Sequence, residues 1–204
     1  MNIELCGVDI FIPDGPTVIN VSGGADSALL LYILMMHSVH PITALSLGEA
    51  ELGMSNTIAA NTVINKIIEL TDNYEITHVV SYMRDFDGDS LMKQYVIDDG
   101  DIAVYYTGLT ANPTLDDMAL FTDIECIIPD RNNLEIMSTW EHGRKVHLPF
   151  RNVNKQKIAE IYDHLGITDT LFPVTVSCTK NTDGTHCDNC WWCSERKWAF
   201  GRLV

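Results

Sequence analysis

Residues 19–31 read INVSGGADSALLL: an apolar run, then Ser22-Gly23-Gly24-Ala25-Asp26-Ser27, then a second apolar run. Both flanks favour burial, so the small, polar stretch between them turns the chain at a surface. Thr17 to Val21 reads as a short buried strand behind the turn-rich PDGP at 13–16. Ser27 to His37 (SALLLYILMMH) is apolar on nearly every side and predicts a helix packed deep in the fold.

The unit of strand, loop and helix recurs downstream. PITALSL (41–47) suggests a second strand, Ser55 an N-cap for a helix from about Asn56 to Leu70, and ITHVVSY (76–82) a third strand. SLMKQYVI (90–97) suits a helix, and DIAVYYTGLT (101–110) a fourth strand ending in Thr107-Gly108. TLDDMALF (114–121) suits a helix and KVHLPF (145–150) an extended segment. NKQKIAEIYDHLG (154–166) is an amphipathic helix with Ile158, Ile161 and Leu165 on one face and Gly166 as its stop. SERKWAFG opens a terminal helix. Alternation at this spacing predicts an α/β fold with an open, mostly parallel, doubly wound sheet covered on both faces. Residues 1–170 form the expected nucleotide domain, and 171–204 a cysteine-rich segment packed on it.

Composition narrows the function. With 46% hydrophobic and 20% charged residues the chain is globular. No stretch is long and apolar enough to cross a bilayer, and MNIELCGVDI lacks the basic start and apolar middle of an export signal, so the cytoplasm is the expected location. The formal charge is −15, from 13 basic against 28 acidic residues. Gripping phosphate backbones needs clustered Lys and Arg, so no stable nucleic-acid binding is expected and a small substrate is preferred.

In an open α/β sheet, ligands bind beyond the carboxyl ends of the strands, which is where Ser22 to Ser27 falls. Gly23 and Gly24 allow positive φ and close backbone approach. Successive N–H groups and the start of the following helix make a concavity suited to phosphate. Ser22 and Ser27 add hydroxyls, while Asp26 would repel bare phosphate and therefore implies Mg²⁺ as intermediary. The spacing is neither the dinucleotide fingerprint nor the Walker loop.

Four of the six cysteines lie in SCTKNTDGTHCDNCWWC: Cys178, Cys187, Cys190 and Cys193. In a reducing compartment such a cluster points to a metal rather than to disulfides. Four thiolates fill a closed tetrahedral Zn²⁺ site, which would be structural and would fix a tail too short to build its own core. An iron–sulfur cluster uses the same ligand number, and His186 could replace one cysteine.

The hexapeptide S-G-G-x-D-S after a first strand resembles the pyrophosphate loop of the N-type ATP pyrophosphatases, which cleave ATP between the α and β phosphates. Combined with the cysteines, it resembles the 7-cyano-7-deazaguanine synthase family. The likeness is best over residues 17–31 and 147–200, including LPFRNVNKQKIAEIYDHLGI and SCTKNTDGTHCDNCWWCSER. It fades between them. LSLGEAELG stands where the family carries Asp-Tyr-Gly-Gln, and PDRNN (129–133) echoes its Pro-Gly-Arg-Asn in the wrong order along the chain.

The resemblance implies an ATP-dependent ligase converting 7-carboxy-7-deazaguanine and ammonia into the nitrile through an acyl-adenylate and an amide. It implies Ser22, Gly23, Gly24, Ala25, Asp26 and Ser27 at the nucleotide, with Ser22 and Asp26 catalytic. Gly108, in YYTGLT, would border the adenosine, and a homodimer is implied. Two other readings remain: a related enzyme acting on another acceptor such as a tRNA base, and a non-catalytic nucleotide-binding zinc module. Arg196 would face the phosphates or form a surface ion pair. Trp191 and Trp192 would pack on the knuckle rather than stack on a purine. His142, His147 and DFDGD (85–89) read as solvated loop features.

Overall fold

The computed structural model describes residues 1–49, 55–83, 102–120, 131, 145–178, 180–181 and 183–204. The chain opens with an antiparallel hairpin, β1 (Asn2–Leu5) and β2 (Val8–Phe11), in which Leu5 faces Val8 across a two-residue turn. Both turn residues, Cys6 (φ 51) and Gly7 (φ 80), adopt the positive φ that a type I′ hairpin demands. Sequence reading missed this hairpin, because Cys-Gly is a weaker turn signature than Asn-Gly.

Five strands follow: β3 (Thr17–Asn20), β4 (Ile42–Glu49), β5 (Ile76–Met83), β6 (Val104–Tyr106) and β7 (Lys145–His147). They form one parallel sheet in the order β5-β4-β3-β6-β7. The first of these strands in sequence, β3, therefore lies in the middle, and the winding reverses between β3 and β6. This α/β sheet buries both faces: Ile19, Ala44 and Tyr106 join the main core, and Val18, Leu45 and Tyr105 a second cluster behind it.

Helix α1 (Ala25–His37) is deeply buried, with Leu29, Leu30, Leu31 and Leu34 fully enclosed. That explains an apolar pattern with no polar face. Helix α2 (Ser55–Thr71) and helix α4 (Lys155–His164) pack on either side of it. Between them in sequence, α3 (Leu115–Met118) is a single turn closed by a Thr114–Asp117 capping box, shorter than the stretch read as helical. The Asn154 side chain accepts from the Gln156 and Lys157 N–H groups, and Gly166 (φ 68) stops α4 as expected. Helix α5 (Trp191–Phe200) begins three residues earlier than expected, directly after Cys190. The fourth strand is confined to Val104–Tyr106. The expected helix at 90–97, Cys126, His142 and residues 85–89 lie outside the described residues.

Candidate active site and metal centre

The loop at 22–27 leaves the carboxyl end of β3, and Thr107-Gly108 leaves that of β6. These are the two strands between which the winding reverses, so their loops diverge and open a cleft. The cleft has a volume of about 290 Å³ and is lined by Ser22, Gly24, Asp26, Ser27, Gly108, Thr110, Arg131, Lys155, Ser177, Cys178 and Trp192, among others.

The loop is held in shape by its own small residues. Gly23 has φ 82, and a Cβ on it would stand 2.6 Å from the Ala59 Cβ and 2.8 Å from the Ala60 N. The loop thus rests directly on the backbone of α2. The Ser27 hydroxyl donates to the Gly24 carbonyl at 3.2 Å, and the Ser22 N–H donates to the Ser27 Oγ at 3.3 Å. Gly24 is the N-cap of α1 and offers no side-chain cap. The first turn of α1 therefore starts without a side-chain cap at the edge of the cleft, and Asp26 is the acid within that turn. Gly108 packs where a Cβ would lie 2.8 Å from the Ser27 N and 2.9 Å from the Asp26 carbonyl. Its absent side chain lets the end of β6 touch the start of α1.

Three buried charges, Lys155, Glu195 and Arg131, form a row with the partly exposed Asp26 beside the cleft. The Lys155 ammonium lies 3.1 Å from Asp26 Oδ2 and 3.3 Å from Glu195 Oε2. Arg131 grips Glu195 with both terminal nitrogens, at 2.7 and 3.0 Å, and also donates to the Thr110 hydroxyl at 3.1 Å. Its guanidinium lies 4.9 Å from the centre of the Trp192 ring. Burial opposes the charge on Lys155, yet Asp26 and Glu195 together hold its pKa above the ordinary lysine value. Burial likewise opposes ionisation of Glu195, but Lys155 and Arg131 outweigh it and keep the carboxyl below its usual range. Asp26 goes the other way: burial pushes its pKa up despite Lys155, and its Oδ1 is buried without a hydrogen-bond partner. An orphaned carboxylate oxygen beside a phosphate-sized concavity fits a hard cation such as Mg²⁺.

The Sγ atoms of Cys178, Cys187, Cys190 and Cys193 all lie within 4.8 Å of one another. A tetrahedral four-thiolate zinc, with bonds near 2.3 Å, needs sulfurs about 3.8 Å apart, so the set fits after a small contraction. His186 is not part of the cluster, but its Nδ1 lies 3.7 Å from Cys193 Sγ, where it can support a ligand rather than be one. Burial opposes ionisation of Cys187, but the Asn189 N–H and the neighbouring thiols bring it down to about 7. The arrangement favours thiolate at that ligand. The cluster adjoins the cleft directly, because Cys178 lines both.

The structure revises several expectations. Arg196 neither faces the cleft nor forms a surface ion pair. It is wholly buried, donating to the carbonyls of Leu203 and Phe172 and to the Thr175 hydroxyl, with its guanidinium over the Phe172 ring at 3.8 Å. It anchors the segment that leads into the cysteines. Trp191 is buried, and Trp192 packs against the cysteine cluster as expected but also lines the cleft. His147 is half-buried rather than solvated, because it ends β7, accepts the Phe11 N–H at 3.2 Å and meets the Tyr106 ring edge-on. Sequence reasoning passed over Lys155, Glu195 and Arg131. The available clue was position: Lys155 opens α4, Glu195 follows the last cysteine, and Arg131 sits inside PDRNN.

The family described as "Queuosine biosynthesis protein QueC" matches residues 125–204. No curated protein matches the chain. Among solved structures, the chain is similar to the U34-tRNA thiolase NcsA from Methanococcus maripaludis with its 4Fe–4S cluster. That similarity has 14% identity, 92% of this chain and 71% of that one covered, and a TM-score of 0.49. It is also similar to NMN synthetase from Francisella tularensis, with 15% identity, 94% and 79% covered, and a TM-score of 0.49. At such identities neither neighbour's activity transfers to this chain. Among the described residues no helix is long and apolar enough to cross a membrane.

Proposed function

We propose that this chain, whose residues 125–204 match the QueC family, is a PP-loop ATP pyrophosphatase and an ATP-dependent carbon–nitrogen ligase acting on a small carboxylate. The observation that carries the reading is the cradle at the reversal of the sheet. There the left-handed Gly23 turns the chain, and α1 starts without a side-chain cap beside a cleft lined by Ser22, Gly24, Asp26 and Ser27. A pyrophosphate leaving group needs such donors, fixed in advance of the reaction.

In this reading, the acceptor carboxylate attacks the α-phosphorus of ATP. The bond to the β-phosphate bridging oxygen breaks, and pyrophosphate departs onto the loop. Ser22, Gly23, Gly24, Ala25 and Ser27 hold it by N–H and hydroxyl donors, and Asp26 holds Mg²⁺, which would spread the phosphate charge. Gly108 keeps the adenosine side of the cleft close to α1. Ammonia then adds to the acyl-adenylate carbon, AMP leaves, one proton is shed, and an amide results. A second ATP activates the amide oxygen, releasing pyrophosphate; the C–O bond then breaks with loss of AMP, and both amide N–H protons are shed to leave the nitrile. The substrate suited to this sequence is 7-carboxy-7-deazaguanine. Trp192 supports it by offering an aromatic wall, and Arg131 and Thr110 by lining the same side.

The four cysteines hold Zn²⁺ as a closed, non-catalytic site that orders residues 171–204 against the nucleotide domain of residues 1–170. The test is incubation with ATP, Mg²⁺, ammonium and 7-carboxy-7-deazaguanine, followed by mass spectrometry. AMP with the nitrile is expected. AMP without nitrile keeps the chemistry and discards the acceptor, whereas ADP with orthophosphate overturns the reading.

A further inference from the structure

The metal cluster and the phosphate loop are built on the same two pieces of chain. The first is the segment Thr175–Cys178: the Val176 N–H donates to the Gly23 carbonyl at 2.9 Å, and Cys178, two residues on, is a metal candidate. The second is α5, whose N-cap is Cys190 and whose first turn carries Cys193. Two residues further, Glu195 is wholly buried between Lys155 and Arg131. Each helical residue turns by about 100°, so fixing Cys190 and Cys193 on a metal fixes the direction in which Glu195 points.

We propose that Glu195 is a positioning residue through which the four-thiolate centre sets the phosphate loop, so that metal binding and nucleotide binding are coupled. The inference rests on the reading of the loop as a nucleotide site. Its physical basis is a divided attraction. Lys155 stands 3.1 Å from Asp26 and 3.3 Å from Glu195, and is shared between them. Without the Glu195 charge, Lys155 closes on Asp26 and withdraws that carboxylate from the cleft. Arg131 loses its fork acceptor in the same step and no longer holds its place beside Trp192. Glu195 pairs with Lys155 and Arg131, and it acts on the loop through Lys155. Coupling of this kind is reciprocal, so whatever factor zinc adds to nucleotide affinity, nucleotide adds to zinc affinity.

The experiment uses the full chain and binding rather than turnover. Mg²⁺ with α,β-methylene-ATP is titrated by calorimetry into the zinc-loaded protein and into Glu195→Gln, with zinc content read by a chromophoric chelator. Glu195→Gln is expected to weaken analogue binding by about 10–100-fold, the range for supporting residues of this kind, with zinc still at one per chain. In a Lys155→Met background the same substitution is expected to have little further effect, a non-additivity that general loss of packing would not produce. The second arm needs no variant: zinc affinity of the wild-type chain, by chelator competition, is expected to tighten at least about tenfold with saturating analogue. Unchanged zinc affinity, or full analogue affinity in zinc-loaded Glu195→Gln, overturns the coupling and leaves the nucleotide reading standing. Failure of the zinc-loaded wild-type chain to bind the analogue overturns the nucleotide reading itself, and the coupling with it.

Discussion

Gly23→Ala tests the loop at the point where two constraints meet. The residue has φ 82, a conformation costing an L-residue about 1–2 kcal/mol. The new Cβ would also stand 2.6 Å from the Ala59 Cβ and 2.8 Å from the Ala59 C and the Ala60 N. The nearest of these atoms ends a side chain with no rotamer to retreat into, and the others are helix backbone. Relief requires α2 or the loop to shift, which for overpacked cores costs about 1–3 kcal/mol more. The expected loss is about 2–5 kcal/mol in all, a large part of the roughly 5–15 kcal/mol that holds a domain together. For a chain of this length that corresponds to a fall in Tm of about 4–20 °C. Gly7→Ala supplies the internal control. Its φ is 80, almost the same, but nothing lies within 4 Å of the added carbon. It should lose only the conformational part. Urea titrations of both variants, with zinc present, compare them. If Gly23→Ala loses no more stability than Gly7→Ala, the close seating of loop on helix is refuted.

Further tests address chemistry, metal and pH. Ser22→Ala and Asp26→Asn should each cut pyrophosphate release by about 100-fold or more while leaving the fold intact, since both groups act on charge that develops during the reaction. Normal turnover by both variants would remove the loop from the mechanism. Stripping zinc with a chelator should lower the melting temperature, and Cys193→Ser should reduce the zinc bound per chain; elemental analysis and calorimetry read both. His147 accepts the Phe11 N–H, and burial pushes its pKa below the ordinary value. The unfolded chain takes up that proton from about pH 6.5 downward, while the folded chain resists it. Its contribution is therefore complete above about pH 6.5 and is lost as pH falls through the depressed folded pKa. His147→Gln should flatten the stability profile as pH falls below about 6.5, and an unchanged slope there would rule the residue out.

The parallel core was legible because its pattern is local. Strand β3, the glycine loop and α1 announce themselves by an apolar run, a break and a second apolar run, and the cysteines by their spacing. What escaped was set by distant partners. Glu195 and Lys155 look like solvent-facing charges in SERKW and NKQK, and only the packing of α4 against α5 brings them within 3.3 Å. Arg196 could not be placed for the same reason: its partners, Phe172, Thr175 and Leu203, are spread over the C-terminal segment. The early start of α5 also had a tertiary cause. Cys190 and Cys193 lie one helical turn apart, which sets both sulfurs on one side of the helix.

The charges around the cleft bear on how so acidic a chain would receive the proposed triphosphate. Two carboxylates, Asp26 and Glu195, face two cations, Lys155 and Arg131, and the four sum to zero. A neutral row gains little by Coulomb attraction from an arriving polyanion, because each cation is already engaged. What remains are uncharged donors: the N–H groups in the first turn of α1, which has no side-chain cap, and the Ser22 hydroxyl, which can turn from Ser27 to a ligand. These make affinity depend on geometry rather than on net charge. Any excess negative charge must then arrive with its own counter-ion, and the unpartnered oxygen of Asp26 is suited to meet one. Nucleotide affinity should accordingly respond steeply to Mg²⁺ and weakly to added NaCl. Calorimetry at fixed nucleotide analogue and varied Mg²⁺ checks this; strong binding without Mg²⁺, abolished by moderate salt, would show that Lys155 and Arg131 act as free cations and that the row is not balanced.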